Sequence, residues 1–317
     1  MNPEPSAQPA VSLNGLTRHF GEVRAVEGLS FAVSAGELFG IVGPDGAGKT
    51  TTLRMLAGVL RPTSGDATLA GVSVSRDPEA VKHHVAYMSQ RFGLYTDLTV
   101  RENLDFYADL FRVPRPERRK RLERLYSFSG LGPFEDRLAG QLSGGMKQKL
   151  GLSCALIHEP EILLLDEPTF GVDPISRRDL WLIVHEMVSR GVTVIVSTAY
   201  LDEAERCDRV VFLHEGRAAA LDTPVGLQGR LNQQVVAVRT DQPRRGRDLL
   251  RAHPAVSYAV LFGEVIHVTL KGGATTWSSV REDLAASGIE LLDEETVEPS
   301  LEDVFIDLAR PRGVDAG

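Results

Sequence analysis

Short apolar runs ending at glycine or at an acid alternate along the chain with stretches of helical periodicity. Residues 37–42 (Glu37-Leu38-Phe39-Gly40-Ile41-Val42) form one such run, stopping at Gly43 as a strand buried on both faces does. Leu53, Leu56, Ala57 and Leu60 then recur at i, i+3, i+4 and i+7, one stripe of a helix. Similar runs return at Val85–Met88, Ile162–Leu165 and Val192–Val196, with helical stretches between them. The alternation predicts an α/β layer fold, a mostly parallel sheet covered by helices. From Arg209 to Leu221 the pattern becomes that of a hairpin turning at Glu215-Gly216.

Residues 91–141 interrupt the alternation with mainly helical sequence. Within them Arg115–Arg124 is rich in basic residues, with Glu117 four before Arg121. The run reads as a solvated helix face with weak ion pairs, the alternative being a patch facing anionic lipid head groups. Leu122 and Leu125 are candidate core residues. Beyond about residue 230 the predicted order is strand 235–239, helix 247–252, strand 256–261, strand 265–270, helix 276–286 and strand 289–294. That βαββαβ order is that of a small α+β, ferredoxin-like unit, closed by a helix at 301–309. It carries no cluster of catalytic or ligand residue types.

At 317 residues and about 150 per domain, the chain has room for roughly two domains. An apolar fraction of 43% and a charged fraction of 25% exclude disorder and a disulfide scaffold. The net charge of −8 argues against a nucleic-acid partner, which needs a basic surface. Cys154 and Cys207 match no CxxC spacing and fit a reducing compartment; Cys154 lies on an apolar helical stripe and reads as core, Cys207 as a bystander. No apolar run approaches the ~20 residues that span a bilayer. The first ten residues, with three prolines, read as a frayed tail rather than a signal peptide. The expectation is a soluble intracellular protein. His83 and His84, taken as neighbours on a strand, would face opposite sides and form no metal site.

The strongest chemical signal is Gly43-Pro44-Asp45-Gly46-Ala47-Gly48-Lys49-Thr50-Thr51, which matches GxxxxGK[ST] between a predicted strand and a predicted helix. Glycines let the backbone curl so that several N–H groups point inward, and the helix N-terminus adds partial positive charge. Lys49 can reach β- and γ-phosphates, and the Thr50 hydroxyl can ligate Mg²⁺. Residues 162–167 end in Asp166-Glu167: Asp166 at a strand end can hold Mg²⁺ through water, and Glu167 can polarise an attacking water. Leu142-Ser143-Gly144-Gly145-Met146-Lys147-Gln148 offers a second anion site, with Ser143 capping a helix whose apolar face is Leu150, Cys154 and Ile157. A second cradle makes sense if it serves a nucleotide held by another subunit.

Over about residues 11–225 the chain resembles the ATP-binding subunits of ABC transporters. It looks most like those that drive drug, lipid or ion exporters with separately encoded permeases. Residues 142–150, the phrase Asp166–Pro174 and the tail phrase Glu298–Phe305 carry that resemblance. It implies a P-loop NTPase domain of ABC type at 11–230, with a helical subdomain at about 91–150, and an accessory domain at 231–317. It further implies that Phe20 stacks on adenine and that Gln90 touches Mg²⁺ or the attacking water. Residues 91–98 would receive a permease helix, and Asp173 would lie on a loop crossing between two subunits. ATP and Mg²⁺ are the implied ligands. The implied partners are integral-membrane permease subunits and a second ATP-binding subunit, at the cytoplasmic face of the membrane.

Three positions depart from the family pattern. Asp45 stands where asparagine is usual, Met146 replaces a glutamine, and Ala199, in Ser197-Thr198-Ala199-Tyr200, occupies the place of a histidine that contacts the γ-phosphate. Alanine has no donor, so one charge-assisted contact is absent and hydrolysis is expected to be impaired; Tyr200 is the neighbouring candidate substitute. The pairing is then either with a different subunit, one site working well and the other slowly, or as a homodimer with two equally weakened sites. Two other readings stay open, a regulatory subunit with little turnover and a soluble non-transport ABC ATPase.

Overall fold

The computed structural model describes residues 8–90, 93–231, 233–271 and 274–309. The start of the proline-containing tail, and Arg91 and Phe92 of the 91–98 stretch, therefore lie outside the described residues. The chain forms two compact units that part between Leu221 and Asp222.

The first unit holds two sheets. Strands β1 (Val11–Phe20) and β2 (Val23–Val33) pair antiparallel, and β1 also pairs with β4 (Ser64–Leu69), which continues to β5 (Val72–Ser73). The apolar runs read from the sequence assign no strand to residues 11–33. In β1, register shifts between Leu13 and Leu16 and between Leu16 and Arg18 break the two-residue alternation that signals a strand, whereas in β2 Leu29, Phe31 and Val33 are buried in alternation with exposed Ser30 and Ala32. The second sheet has the order β10-β9-β3-β8-β7-β6. Its centre, β3 (Leu38–Val42), β6 (Val85–Met88), β7 (Ile162–Asp166), β8 (Thr193–Thr198) and β9 (Arg209–His214), is parallel, as the apolar runs predicted. Strand β10 (Arg217–Asp222) closes the hairpin, with Glu215 and Gly216 both at positive φ.

One core joins the two sheets. Leu16, Leu29 and Val33 from the antiparallel sheet meet Phe39, Ile41, Leu164 and Ile195 from the parallel one, together with Leu53 and Leu56 of α1 (Lys49–Leu56). The Phe31 and Phe39 rings stack across the junction at 5.1 Å. His83 and His84 prove to be the last residues of α2 (Pro78–His84), not strand neighbours; Asp77 caps that helix and Val85 begins β6.

The interrupting region contains α3 (Val100–Leu110), α4 (Arg115–Ser129) and α5 (Gly144–Leu156), so the helical stretch runs past residue 150. Thr99 and Glu102 form a reciprocal capping box at the head of α3, and the hydrogen bonds from Thr99 hold the Glu102 carboxyl below its usual range. On α4, Leu122 and Leu125 are buried, while Arg118, Arg119, Arg121 and Arg124 pair with Asp109, Glu123, Glu117 and Glu159. The basic run is thus a solvated face laced with ion pairs. Helices α6 (Pro174–Ser189) and α7 (Leu201–Ala204) complete the unit.

The second unit begins with α8 (Pro224–Gln228), earlier than the 230/231 boundary read from the sequence, because α8 packs on the closing helix α11 (Leu301–Ala309). Between them lie β11 (Val235–Thr240), α9 (Pro243–Ala252), β12 (Val256–Phe262), β13 (Val265–Leu270), α10 (Ala274–Ala286) and β14 (Leu291–Val297). The sheet order is β12-β13-β11-β14, with every neighbouring pair antiparallel. Leu250 of α9 and Trp277, Val280 and Leu284 of α10 share a core with Val236, Val238, Ile266 and Val268 of the sheet. The tail phrase forms the entry to α11: buried Asp303 accepts from the Ser300 N–H at 2.9 Å and lies 3.1 Å from His267 Nδ1. Among the described residues no helix is long and apolar enough to cross a membrane.

Candidate functional site

The loop from Gly43 to Gly48 leaves the C-terminal end of β3 and enters α1 through Gly48, whose φ of 102° is open to glycine. Close backbone packing fixes its path. A Cβ on Gly43 would lie 2.4 Å from the Leu213 carbonyl oxygen, and one on Gly48 would lie 2.5 Å from that of Ala25. The β9–β10 turn braces the loop from the side, Gly216 N–H donating to the Ala47 carbonyl at 3.2 Å.

Lys49 is 4% exposed, and its Nζ donates to the Gly43 and Pro44 carbonyls at 2.8 and 3.1 Å while lying 3.0 Å from Glu167 Oε1. Thr50 Oγ1 donates to Asp166 Oδ1 at 3.0 Å, and Gln90 Nε2 donates to Glu167 Oε2 at 3.0 Å. The strand-end acids and the glycine loop, 110 or more residues apart in sequence, therefore meet. They do so because β3 and β7 both flank β8 in a parallel sheet and end on the same side. Phe20, Ala25, Asp45, Gly46, Gly48, Lys49, Thr50, Thr51, Gln90, Glu167 and Phe170 line one cavity of about 540 Å³. Phe20 is half exposed at its mouth, with the Arg18 guanidinium 4.5 Å above its ring. A larger cavity of about 620 Å³ lies at the opposite, N-terminal ends of β7 and β8, lined by Ile162 and Thr193 and by none of these residues.

Sequence reasoning missed two residues that hold Asp166. Ser197 Oγ donates to Asp166 Oδ1 at 2.8 Å and Tyr87 OH to Oδ2 at 3.1 Å. Burial, then the Asp166 charge, pushes the Tyr87 phenol up to about 12, so it remains a donor at neutral pH. Their signal was present only as strand-end position, Ser197 opposite Asp166 in the β7–β8 register. Glu167 sits at φ 48°, unusual for a residue with a Cβ. Its N–H is held by the Ser197 carbonyl and hydroxyl, both at 3.1 Å.

The Ala199 side is different. Ala199 and Tyr200 share a cavity of about 150 Å³ with Asp45 and Glu167. The Tyr200 ring lies beneath the Arg177 guanidinium at 4.7 Å. Ala199 itself brings no polar side chain to that wall. Ser143 and Asp173 do not line the Lys49 cavity. Ser143 Oγ accepts from the Met146 N–H at 3.3 Å, and Asp173 caps α6 by accepting from the Ile175 and Ser176 N–H groups. Those N–H groups, that of Ser176 foremost, hold the Asp173 carboxyl below its usual range. The two loops adjoin: a Cβ on Gly145 would lie 3.4 Å from Asp173 Oδ2. Both are exposed, beside the exposed apolar residues Phe170 and Ile175.

The donor set suits a hard cation that keeps water and phosphate oxygens. It offers one hydroxyl touching one carboxylate, and no group of three or more His, Cys, Asp or Glu able to hold a metal occurs among the described residues.

A family model described as ABC transporter matches residues 26–170. The chain is 45% identical over 302 residues to the probable multidrug ABC transporter ATP-binding protein YbhF of Escherichia coli (strain K12), covering 94% of this chain but only 52% of that protein. The chain thus spans about half the length of that relative. It is 35% identical over 308 residues to the daunorubicin resistance ATP-binding protein DrrA2 of Streptomyces coeruleorubidus, covering 96% of each. Among solved structures, a dimeric ATP-binding cassette in a post-hydrolysis state, bound to ADP and Pi, superposes with a TM-score of 0.61 at 26% identity. The match covers 67% of this chain and 98% of that one.

Proposed function

The chain belongs to the ATP-binding subunits of ABC transporters, and from that premise we propose that it binds and hydrolyses ATP to power a membrane exporter, through residues 43–51, 166–167 and 90. The observation that carries this reading is the contact set of Lys49 with Glu167 and of Thr50 with Asp166. In it a phosphate-reaching cation, a metal-reaching hydroxyl and Glu167 line one cavity, with the buried Asp166 held directly behind the hydroxyl. The names of the relatives, multidrug and daunorubicin resistance, support export.

The Gly43–Gly48 backbone cradles the phosphates, and Lys49 leaves its carbonyl partners to meet the β- and γ-phosphate oxygens. The half-exposed Phe20 offers its ring to adenine, a stack that contributes about 1 kcal/mol. One Mg²⁺ would be held by the Thr50 hydroxyl and, through water, by Asp166; when bound it supplies charge neutralisation of the phosphate oxygens. Glu167, oriented by Gln90, takes the proton of the attacking water.

Ser143, Gly144 and Gly145 lie outside the Lys49 cavity, so the reading places them against the nucleotide of a second ATP-binding subunit. Asp173 joins them on that exposed face, and the exposed apolar Ile175 beside it supports a face that meets another chain. Permease subunits would receive the motion through the Gln90 region at the cytoplasmic side of the membrane. Single-turnover cleavage of bound ATP tests the reading. The Glu167→Gln chain should retain ATP binding and cleave at least about a hundredfold more slowly; cleavage at the wild-type rate would overturn the assignment.

A further inference from the structure

Behind the Ala199 wall lies a carboxylate that no motif announces. Glu203 of α7 is fully buried, and its side chain accepts four hydrogen bonds from three other segments. Thr169 Oγ1 and Arg177 Nε both donate to Oε1 at 2.6 Å, Trp181 Nε1 donates to the same oxygen at 3.3 Å, and Thr198 Oγ1 donates to Oε2 at 2.6 Å. A carboxylate withdrawn from water is costly unless its oxygens are bonded and its charge is met, and here both conditions hold.

Each donor belongs to a segment that carries site chemistry. Thr169 lies two residues after Glu167, in the turn where the Phe170 N–H donates to the Glu167 carbonyl at 3.1 Å. Thr198 immediately precedes Ala199, and its hydroxyl accepts from the Tyr200 N–H at 3.0 Å. Arg177 is in the first turn of α6, whose cap is Asp173, and it also grips Asp202 while covering the Tyr200 ring. Trp181, buried like Thr169 and Thr198, lies one turn further along α6.

We infer that Glu203 is a positioning residue for ATP cleavage: it ties the turn after Glu167, the Ala199 wall and the head of α6 into one rigid corner. The inference rests on the hydrolysis reading above and adds to it a residue that touches neither nucleotide nor metal. The glycine loop meets this corner through the Gly43 N–H, which donates to the Thr198 carbonyl at 3.3 Å, a backbone tie that side-chain changes at 203 and 198 leave in place, so ATP capture should feel the corner far less than cleavage does. A carboxamide at 203 would offer only one accepting oxygen to two hydroxyls and a guanidinium, leaving the corner loose. Small misplacements of reacting groups cost far more in rate than in binding.

The experiment compares steady-state kcat and KM for Mg·ATP, with melting temperature, in the full chain. Glu203→Gln should lower kcat roughly tenfold or more with KM within about twofold. Thr198→Val, a near-isosteric change that removes one tie, should lower kcat about threefold. Ile183→Val, a core truncation on α6 that removes no hydrogen bond to Glu203, should leave kcat unchanged whatever it does to melting. A merely structural role predicts instead that kcat per folded chain is unchanged in all three, or that Ile183→Val and Thr198→Val fall together with stability; either result overturns the proposal. Should Glu203→Gln fail to fold, the contrast between Thr198→Val and Ile183→Val decides. A wild-type chain that cleaves, with Glu167→Gln inactive and Glu203→Gln normal, would leave the hydrolysis reading standing and remove this one.

Discussion

Around Lys49, three charged side chains are already gripped: the ammonium by two carbonyls, Asp166 by Thr50, Tyr87 and Ser197, and Glu167 by Gln90. In the adjoining cavity, the segment Thr198–Tyr200 presents the Ala199 methyl group, and its polar neighbours are engaged behind the wall by Glu203 rather than in front of it. In the function proposed above, the first flank is the one that holds a charged triphosphate. The other is firmly placed but chemically plain. The contrast separates two tasks in one site, since capture depends on preformed donors on the first flank and cleavage on charge arriving from both.

The largest effect should come from Lys49→Ala. ATP affinity measured by titration calorimetry is expected to fall roughly a hundredfold or more, because a charge-assisted contact to the phosphates disappears. Retained affinity would erase the distinction between the flanks. Tyr87→Phe sharpens it on a smaller scale. Loss of one hydrogen bond to Asp166, worth about 1 kcal/mol, should raise the Mg²⁺ concentration for half-maximal turnover about fivefold, with ATP binding in the absence of Mg²⁺ unchanged. A change outside both flanks should touch neither task. His158, stacked on Phe111 at 4.0 Å, is pushed down by burial to about 4 from an ordinary 6.5. The unfolded chain therefore binds this proton first. The stability that neutral His158 contributes is complete above pH 6.5 and is lost as pH falls towards 4. His158→Leu should flatten the melting temperature over that window and leave turnover at pH 7 as it was.

What could be read from the chain beforehand followed the same division. The glycine loop and strand-end acids are local phrases with a fixed chemical sense, and the parallel sheet that joins them shows as uninterrupted apolar runs such as Ile162–Leu165. The βαββαβ order of the second unit was legible for the same reason, each element having one clear period. Three things were not. Bulges broke the period of β1, leaving only the short alternation Leu29-Phe31-Val33 of β2 as a trace of the antiparallel sheet. The histidine pair sits at a helix end because the Asp77 cap and the β6 start leave room for only seven helical residues. Tyr87, Ser197 and Glu203 acquire their roles mainly through partners 22 to 79 residues away, Thr198 beside Glu203 being the near exception, contacts that tertiary structure creates and spacing does not encode.

The central claim is that the Lys49 flank carries what one chain brings to holding ATP, while the Ala199 flank is short of one donor for cleaving it. Restoring that donor tests it most directly. In the Ala199→His chain, kcat for ATP hydrolysis should rise about tenfold, with KM within about twofold, as one charge-assisted contact returns at the transition state. An unchanged or lower kcat, or a gain that appears only in KM, would contradict the account.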